Sequence, residues 1–276
     1  PGMSSKGKLA AFREAGINRV SLGVQSMNAD ELVVLGRNHT AENTHKTLKH
    51  IREVGFDNVS VDLMFGLPNS TVRSLQNSLD AVLDYDPEHL STYGLTIESG
   101  TPFFRNQQLK VGQDMERKQF QKIITTLKKK DYLHYEVSNF SKINRESKHN
   151  MAYWELRPYI GLGPSAHSFF KGNRYSNKRS LDIYTRAPYP SAYLKSGVKP
   201  YSSDKLLKEY IMTGLRMMDG LSFSTVNDLF GVDIKRRYAN TIQSLYALKL
   251  IYKPDHDLRV TTKGVWVLDE IVQQFL

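Results

Sequence analysis

Cysteine is absent from all 276 residues. That excludes disulfides and cysteine-held metal clusters within the chain, and it leaves the compartment open. Long apolar runs are absent too. No stretch approaches the ~20 consecutive apolar residues of a membrane span. No basic start, apolar centre and small-residue cleavage site marks a signal peptide. Internal repeats and low-complexity runs are missing. Acidic residues are outnumbered, 28 against 38 Lys and Arg, for a formal charge of +10. This surplus invites a nucleic-acid reading. Against it, the lysines are spread over polar helix faces, and Lys128-Lys-Lys130 closes a helix where cations suit the dipole. What remains is the composition of a globular chain long enough for a substantial core and more than one domain.

The organising stretch is Gly16-Ile-Asn-Arg-Val-Ser-Leu-Gly-Val-Gln-Ser26. Val20, Leu22 and Val24 share one face, and Arg19, Ser21, Gly23 and Gln25 the other. A period of two predicts a β-strand with an apolar side for helices and a small polar side for a cavity. The design repeats at 58–66, where Val59, Val61, Leu63 and Phe65 oppose Ser60, Asp62 and Met64. His89–Thr96 reads as a third strand. Helical patterns lie at 4–15, from Asn28 through Leu35 with Asn28 and Glu31 as a capping box, from Thr40 to Gly55, and from a Ser70 cap through Val82. Strands separated by helices imply an α/β fold with a parallel sheet, with sites at the strands' carboxyl ends. Gln25, Gly66 and Thr96 stand there.

Further on, Asp114–Lys130 predicts a basic amphipathic helix burying Phe120, Ile123, Ile124 and Leu127, and Tyr132–Phe140 another strand. Residues 172–203 are polar and rich in Pro, Tyr and Ser, and read as a connection between domains 1–171 and 204–276. The last region predicts helices at 207–215, 224–230, 234–248 and 264–275, with a hairpin at 251–261. Three of these helices with the hairpin resemble a winged helix.

Two constellations carry candidate chemistry. The first is Gln25, Arg37 and Asp62. A buried aspartate on a polar face needs partners. Arg37 either pairs with it, tying sheet to helix, or binds an anionic ligand through its forked guanidinium. The second is His149-Asn-Met-Ala-Tyr-Trp154, which gathers ligating, hydrogen-bonding and stacking groups, as cofactor pockets do; its purely structural reading is an amphipathic surface segment. Gly161-Leu-Gly-Pro-Ser-Ala166 fits the loose dinucleotide-binding glycine pattern. Pro164 and the residues after the loop, which open no helix, argue against that use. A close backbone approach explains the glycines better. His167 is a site residue or a satisfied core histidine. The other histidines lack metal-ligand spacing.

Several motifs in order resemble one family. Gly16–Gln25, Leu35-Gly-Arg37 with His39, Asp62-Leu-Met-Phe-Gly-Leu-Pro68 and Glu98-Ser-Gly-Thr-Pro102 resemble radical SAM proteins of the oxygen-independent coproporphyrinogen III oxidase group. His149–Trp154 followed by Gly161–Ser168 resembles its HemW branch, the heme chaperones. Gly214-Leu-Arg216 and Thr261-Thr-Lys-Gly264 are similar to the family's C-terminal domain.

The resemblance implies a partial (β/α)6 barrel, of which this chain is a fragment carrying the second half and the winged-helix-like C-terminal domain. It implies S-adenosylmethionine held by Gln25, Arg37, Asp62 and the backbone at Thr96. It implies heme held by His149, Asn150, Tyr153 and Trp154, a heme-acceptor protein as partner, and a cytoplasmic location. It also implies a 4Fe–4S cluster whose cysteine loop is absent here, so that this chain alone generates no radical. The open sheet edge left by missing strands predicts either self-association or cover of that edge by residues 1–15. The alternatives are a true coproporphyrinogen III oxidase, which decarboxylates two propionates, and a winged-helix regulator of nucleic acid.

Overall fold

The period-two segments become strands. In the computed structural model, which describes residues 1–105, 111–186, 195–200 and 202–276, the first compact unit is Pro1–Glu146. It begins with α1 (Lys6–Glu14), capped by the Ser5 side chain, then β1 (Val20–Gln25), α2 (Ala29–Val34), α3 (Ala41–Glu53) and β2 (Val59–Phe65). α4 (Val72–Leu83) and β3 (His89–Gly94) follow. β1, β2 and β3 are parallel neighbours, with Ser21 opposite Ser60, Gly23 opposite Asp62, and Asp62 opposite Ser91. Val59, Val61 and Leu63 are buried on the other face. Each such side chain contributes about 1.5–3 kcal/mol by leaving water. Thr40 caps α3 in a reciprocal box with Asn43, and Leu48 and Ile51 are buried as the helical spacing requires.

Two caps differ from expectation. Thr71, not Ser70, caps α4, sharing a reciprocal box with Ser74. Ser70 is buried instead: its hydroxyl donates to the Leu67 carbonyl and accepts from Gln119. Asn28 does accept from the Asp30 and Glu31 N–H groups, but the Glu31 carboxylate turns inward to the Ser26 hydroxyl, 2.5 Å away, so that box is half made.

After α5 (Pro102–Arg105), α6 (Gln113–Lys128) packs on α4 and β2, burying Phe120, Ile123 and Leu127, while Ile124 stays half-buried. The expected strand at 132–140 is a hairpin, β4 (Leu133–Glu136) and β5 (Asn139–Ser141). β5 runs antiparallel beside β3, so the sheet order is β1-β2-β3-β5-β4. Two short strands separated by Val137 and Ser138 carry too few alternations to betray the reversal.

The second compact unit is Ser147–Leu276. It holds α7 (Lys148–Trp154), β6 (His167–Phe170), β7 (Asn173–Asn177), α8 (Leu181–Arg186) and β8 (Lys195–Pro200). β6-β7-β8 form an antiparallel sheet, so the segment at 172–203 carries structure of its own. Then come α9 (Ser203–Gly214), β9 (Leu221–Ser222), α10 (Phe223–Phe230), α11 (Ile234–Arg237), α12 (Ala239–Ala247), β10 (Asp257–Leu258), α13 (Thr262–Trp266) and α14 (Leu268–Gln273). β9 pairs antiparallel with β10, and Ile251 bridges Val260. Helices with a small hairpin are the winged-helix-like arrangement expected. The single helix expected at 234–248 breaks at Tyr238. Among the described residues no helix is long and apolar enough to cross a membrane.

Candidate functional site

Asp62 stands mid-strand on the face opposite the buried Val61 and Leu63. Its carboxylate accepts from the hydroxyls of Ser21, 3.3 Å away, and Ser91. Burial pushes the Asp62 carboxyl above its ordinary value; Ser91, Ser21 and the Arg19 cation oppose that shift. Across β1, Gly23 is its register partner. The Gln25 amide folds back over Gly23: a Cβ there would stand 2.7 Å from Gln25 Nε2. A glycine at 23 therefore makes room for Gln25 beside Asp62. Gln25 itself adopts a left-handed φ of 65°, which turns the chain at the carboxyl end of β1.

Arg37 lies on the loop after α2. The ring of His39 reaches the Val24 carbonyl at 3.2 Å and ties that loop to the end of β1, next to Gln25. Arg37 is exposed and borders a hollow of about 230 Å³ with Leu32, Val33 and His39. Among the described residues it forms no ion pair with Asp62, so the salt bridge tying sheet to helix is not made. The structure thus gathers Gln25 and Asp62, and brings the Arg37 loop to the same strand end. Thr96 is exposed, two residues beyond β3. Ser21 and Ser91 escaped the sequence reading as partners of Asp62, although Ser21 shares parity with Gln25, and Ser91 with His89 and Tyr93.

The second cluster lies in the other unit. Ser147 caps α7, its hydroxyl accepting from the Asn150 N–H. Helical spacing puts the His149 ring 4.7 Å from Tyr153, edge to face. Tyr153 meets Tyr159 at 4.6 Å in the same manner. The Tyr159 hydroxyl accepts from Arg174, 2.8 Å away, and Arg174 is paired with Glu209 of α9. His149 is exposed; Asn150, Tyr153 and Trp154 are half-buried. The Arg216 guanidinium lies 5.0 Å over the Trp154 ring. The result is a row of aromatic faces with one paired and one unpaired arginine. It can stack a planar apolar ligand, offer an exposed imidazole and meet an anionic edge. Tyr159 and Arg174 were not anticipated, because they join through the β6–β7 sheet rather than through spacing.

The glycine loop is structural. A Cβ at Gly161 would strike the His167 carbonyl. Gly161 N–H donates to Ser168 Oγ at 2.9 Å, and Asn177 donates to the carbonyls of Gly161 and Gly163. His167 is exposed on β6 rather than in a core.

Iron–sulfur binding fails on composition: with no cysteine in the sequence, no thiolate set exists. Among the described residues no group of three or more His, Asp or Glu could hold a metal ion either. The basic helix tip is partly spent within its own domain. Arg237 pairs with Asp204 at 2.5 Å, and Lys235 donates to the Asp255 carbonyl.

Residues 1–82 match the Radical SAM superfamily and residues 201–267 the HemN C-terminal domain. The chain is 30% identical to heme chaperone HemW of Bacillus subtilis (strain 168), over 98% of this chain and 72% of that protein. It is 32% identical to radical S-adenosyl methionine domain-containing protein 1, mitochondrial, of Danio rerio, over 100% of this chain and 66% of that one. The structure of coproporphyrinogen III oxidase from Escherichia coli, a radical SAM enzyme, superposes with a TM-score of 0.79 at 21% identity, over 99% of this chain and 67% of that one.

Proposed function

This chain belongs to the HemW family of radical SAM proteins, and from that premise we propose that it is the heme-binding and S-adenosylmethionine-binding part of a heme chaperone, which passes heme to an acceptor protein. The observation that carries the reading is the row His149–Tyr153–Tyr159, with an exposed imidazole at one end and arginines alongside. Tyr153 and Trp154 would stack on the porphyrin, His149 would face its iron, and Asn150 would serve as a hydrogen-bonding neighbour.

On the sheet, Gln25, Arg37 and Asp62 would hold S-adenosylmethionine, with the backbone at Thr96. Two features support this. Asp62 is held by hydroxyl donors only, which leaves acceptor capacity for ribose hydroxyls. Arg37 keeps a guanidinium free of any carboxylate among the described residues, as a methionyl carboxylate requires. When bound, that molecule would supply the family's adenosyl chemistry. Here the residues bind and orient it, and the cluster that drives such chemistry has no ligands in this sequence.

The oxidase and nucleic-acid readings are not favoured, since the curated relatives include several heme chaperones and two of the three cations of the basic tip, Lys235 and Arg237, are engaged internally. The test is a hemin titration followed at the Soret band. His149→Ala is expected to weaken binding about ten-fold without changing the circular dichroism, as loss of one ligand group would. An unchanged spectrum and affinity would move the ligand elsewhere, with exposed His167 next to be examined.

A further inference from the structure

Trp154 and Arg216 share an unusual state. The indole Nε1 of Trp154 and the Nε of Arg216 are both shut away from water with no hydrogen-bond partner. Neither side chain gives a hydrogen bond or ion pair to any described residue; the two meet only in their stacking at 5.0 Å. Buried donors are nearly always satisfied, and an orphan is costly. Here two donors of the same kind are orphaned in one contact, and one belongs to a cation.

Arg174 shows that the omission is local. It lies in the same unit, and it is fully engaged with Glu209 and with the Tyr159 hydroxyl. Glu209 on α9 gives one oxygen, Oε1, to Arg174, and its Oε2 is buried without a partner, yet it forms no ion pair with Arg216. Arg216 follows directly on Leu215, the C-cap of α9, and Trp154 ends α7, which packs on α9. Both therefore come from helix ends, where a side chain can change rotamer without unwinding its element. Both residues keep part of their surface exposed, although the two donor nitrogens do not, so an anion reaches them only once the guanidinium moves.

We infer that Trp154 Nε1 and Arg216 Nε form a two-donor clamp for a carboxylate carried by the ligand that stacks on α7. A carboxylate accepts two donors side by side, and a guanidinium edge matches its geometry. The inference rests on the heme reading above and deepens it: the carboxylate is a porphyrin propionate, and the clamp sets which edge of the ring enters. The guanidinium shifts off the indole face as the anion arrives, so both donors are satisfied in the bound state and neither in the free one.

The experiment uses the whole chain and two probes, hemin and hemin dimethyl ester, which keeps the ring and iron but esterifies the propionates. Wild type is expected to bind hemin about ten-fold more tightly than the ester, the worth of charge-assisted hydrogen bonds. In Arg216→Gln the hemin affinity should fall to that of the ester, with ester binding unchanged. Trp154→Phe, which keeps an aromatic face and removes only the N–H, should lose roughly a third of that preference on a logarithmic scale. Circular dichroism and urea midpoints report whether each variant folds, and Trp154→Phe carries the test should Arg216→Gln fail to. Equal affinity of wild type for the two probes overturns the clamp and leaves the heme reading standing. A preference unchanged in either folded variant also overturns it. Binding of neither probe removes the heme reading and the clamp with it.

Discussion

Ser60 Oγ lies 2.9 Å from His89 Nδ1, across the junction of β2 and β3. The far nitrogen, His89 Nε2, lies 2.8 Å from the Tyr135 hydroxyl. The imidazole is thus held at both ends inside the sheet's polar face. Burial, with the Arg19 cation adding, drives its pKa down to about 3. In the unfolded chain the same group titrates near 6.5. Between those values the unfolded state binds the proton that the folded state refuses, so stability is full above pH 6.5 and is lost as pH falls toward 3. One such group tilts stability by about 1.4 kcal/mol per pH unit within that window. His134, stacked 4.2 Å from Phe140 and lowered to about 4, acts in the same sense. Urea unfolding of wild type and His89→Gln at pH 4.5, 5.5 and 6.5 should show the variant's slope shallower by about one proton. Parallel slopes would mean that His89 charges within the folded state.

Asp62 works in the opposite direction. Its carboxyl is raised, first by burial, so the folded state keeps the proton to higher pH than the unfolded state. Stability therefore falls as pH rises from the ordinary carboxylate value to the folded one, and the cost of ionisation persists above it. Asp62→Asn removes that cost. Relative to wild type it should gain more stability at pH 7 than at pH 3, read as urea midpoints. The same variant should weaken S-adenosylmethionine binding about ten-fold or more, through a lost charge-assisted hydrogen bond; equilibrium dialysis measures it. A variant that loses stability selectively at pH 7 would show that the carboxylate is needed by the fold and not by a ligand.

Gln119 is fully buried on α6. Its Oε1 accepts from the Gly66 N–H at 2.7 Å, and its Nε2 donates to Ser70 Oγ at 2.9 Å. It thereby fixes the turn after β2, where Gly66 has a φ of 71°. Gln119→Leu keeps the volume, orphans the Gly66 N–H and leaves the Ser70 hydroxyl only its bond to the Leu67 carbonyl. It should cost about 1–3 kcal/mol in urea unfolding, with the m-value unchanged. A loss below about 0.5 kcal/mol would indicate that water replaces the amide.

These cases show what was legible in the sequence. The parity of Ser21, Gly23 and Gln25 placed them on one face, because a strand alternates whatever surrounds it. Parity also placed Asp62 away from the helices. It could not show that Gln25 curls over Gly23, since that depends on a left-handed turn at Gln25 itself. The strands at 173–177 and 195–200 were hidden for another reason. Asn173-Arg-Tyr-Ser-Asn177 is half-buried along its whole length, so no apolar stripe marks it. Ser70 and Thr71 are both competent caps, and the choice between them was made by Gln119, 49 residues away from Ser70.

The edge of β1 yields the last prediction. β1 pairs with β2 on one side, and no described strand pairs on the other. Of residues 1–15, the other expected cover for that edge, 6–14 form α1, which packs on α3 and is tied to it by the Lys6–Glu53 ion pair at 2.7 Å. Val20 N–H is spent on the Asn58 carbonyl toward β2. By alternation the N–H groups of Ser21 and Gly23 point outward, where another backbone can accept them. The chain is therefore expected to self-associate through this edge. Light scattering should show mass rising with concentration between about 5 and 200 μM, a range that brackets weak edge pairing. Hydrogen exchange at the amides of Ser21 and Gly23 should slow in step with it. A chain that stays monomeric throughout, with these two amides exchanging freely, would show that the bare edge recruits no second copy.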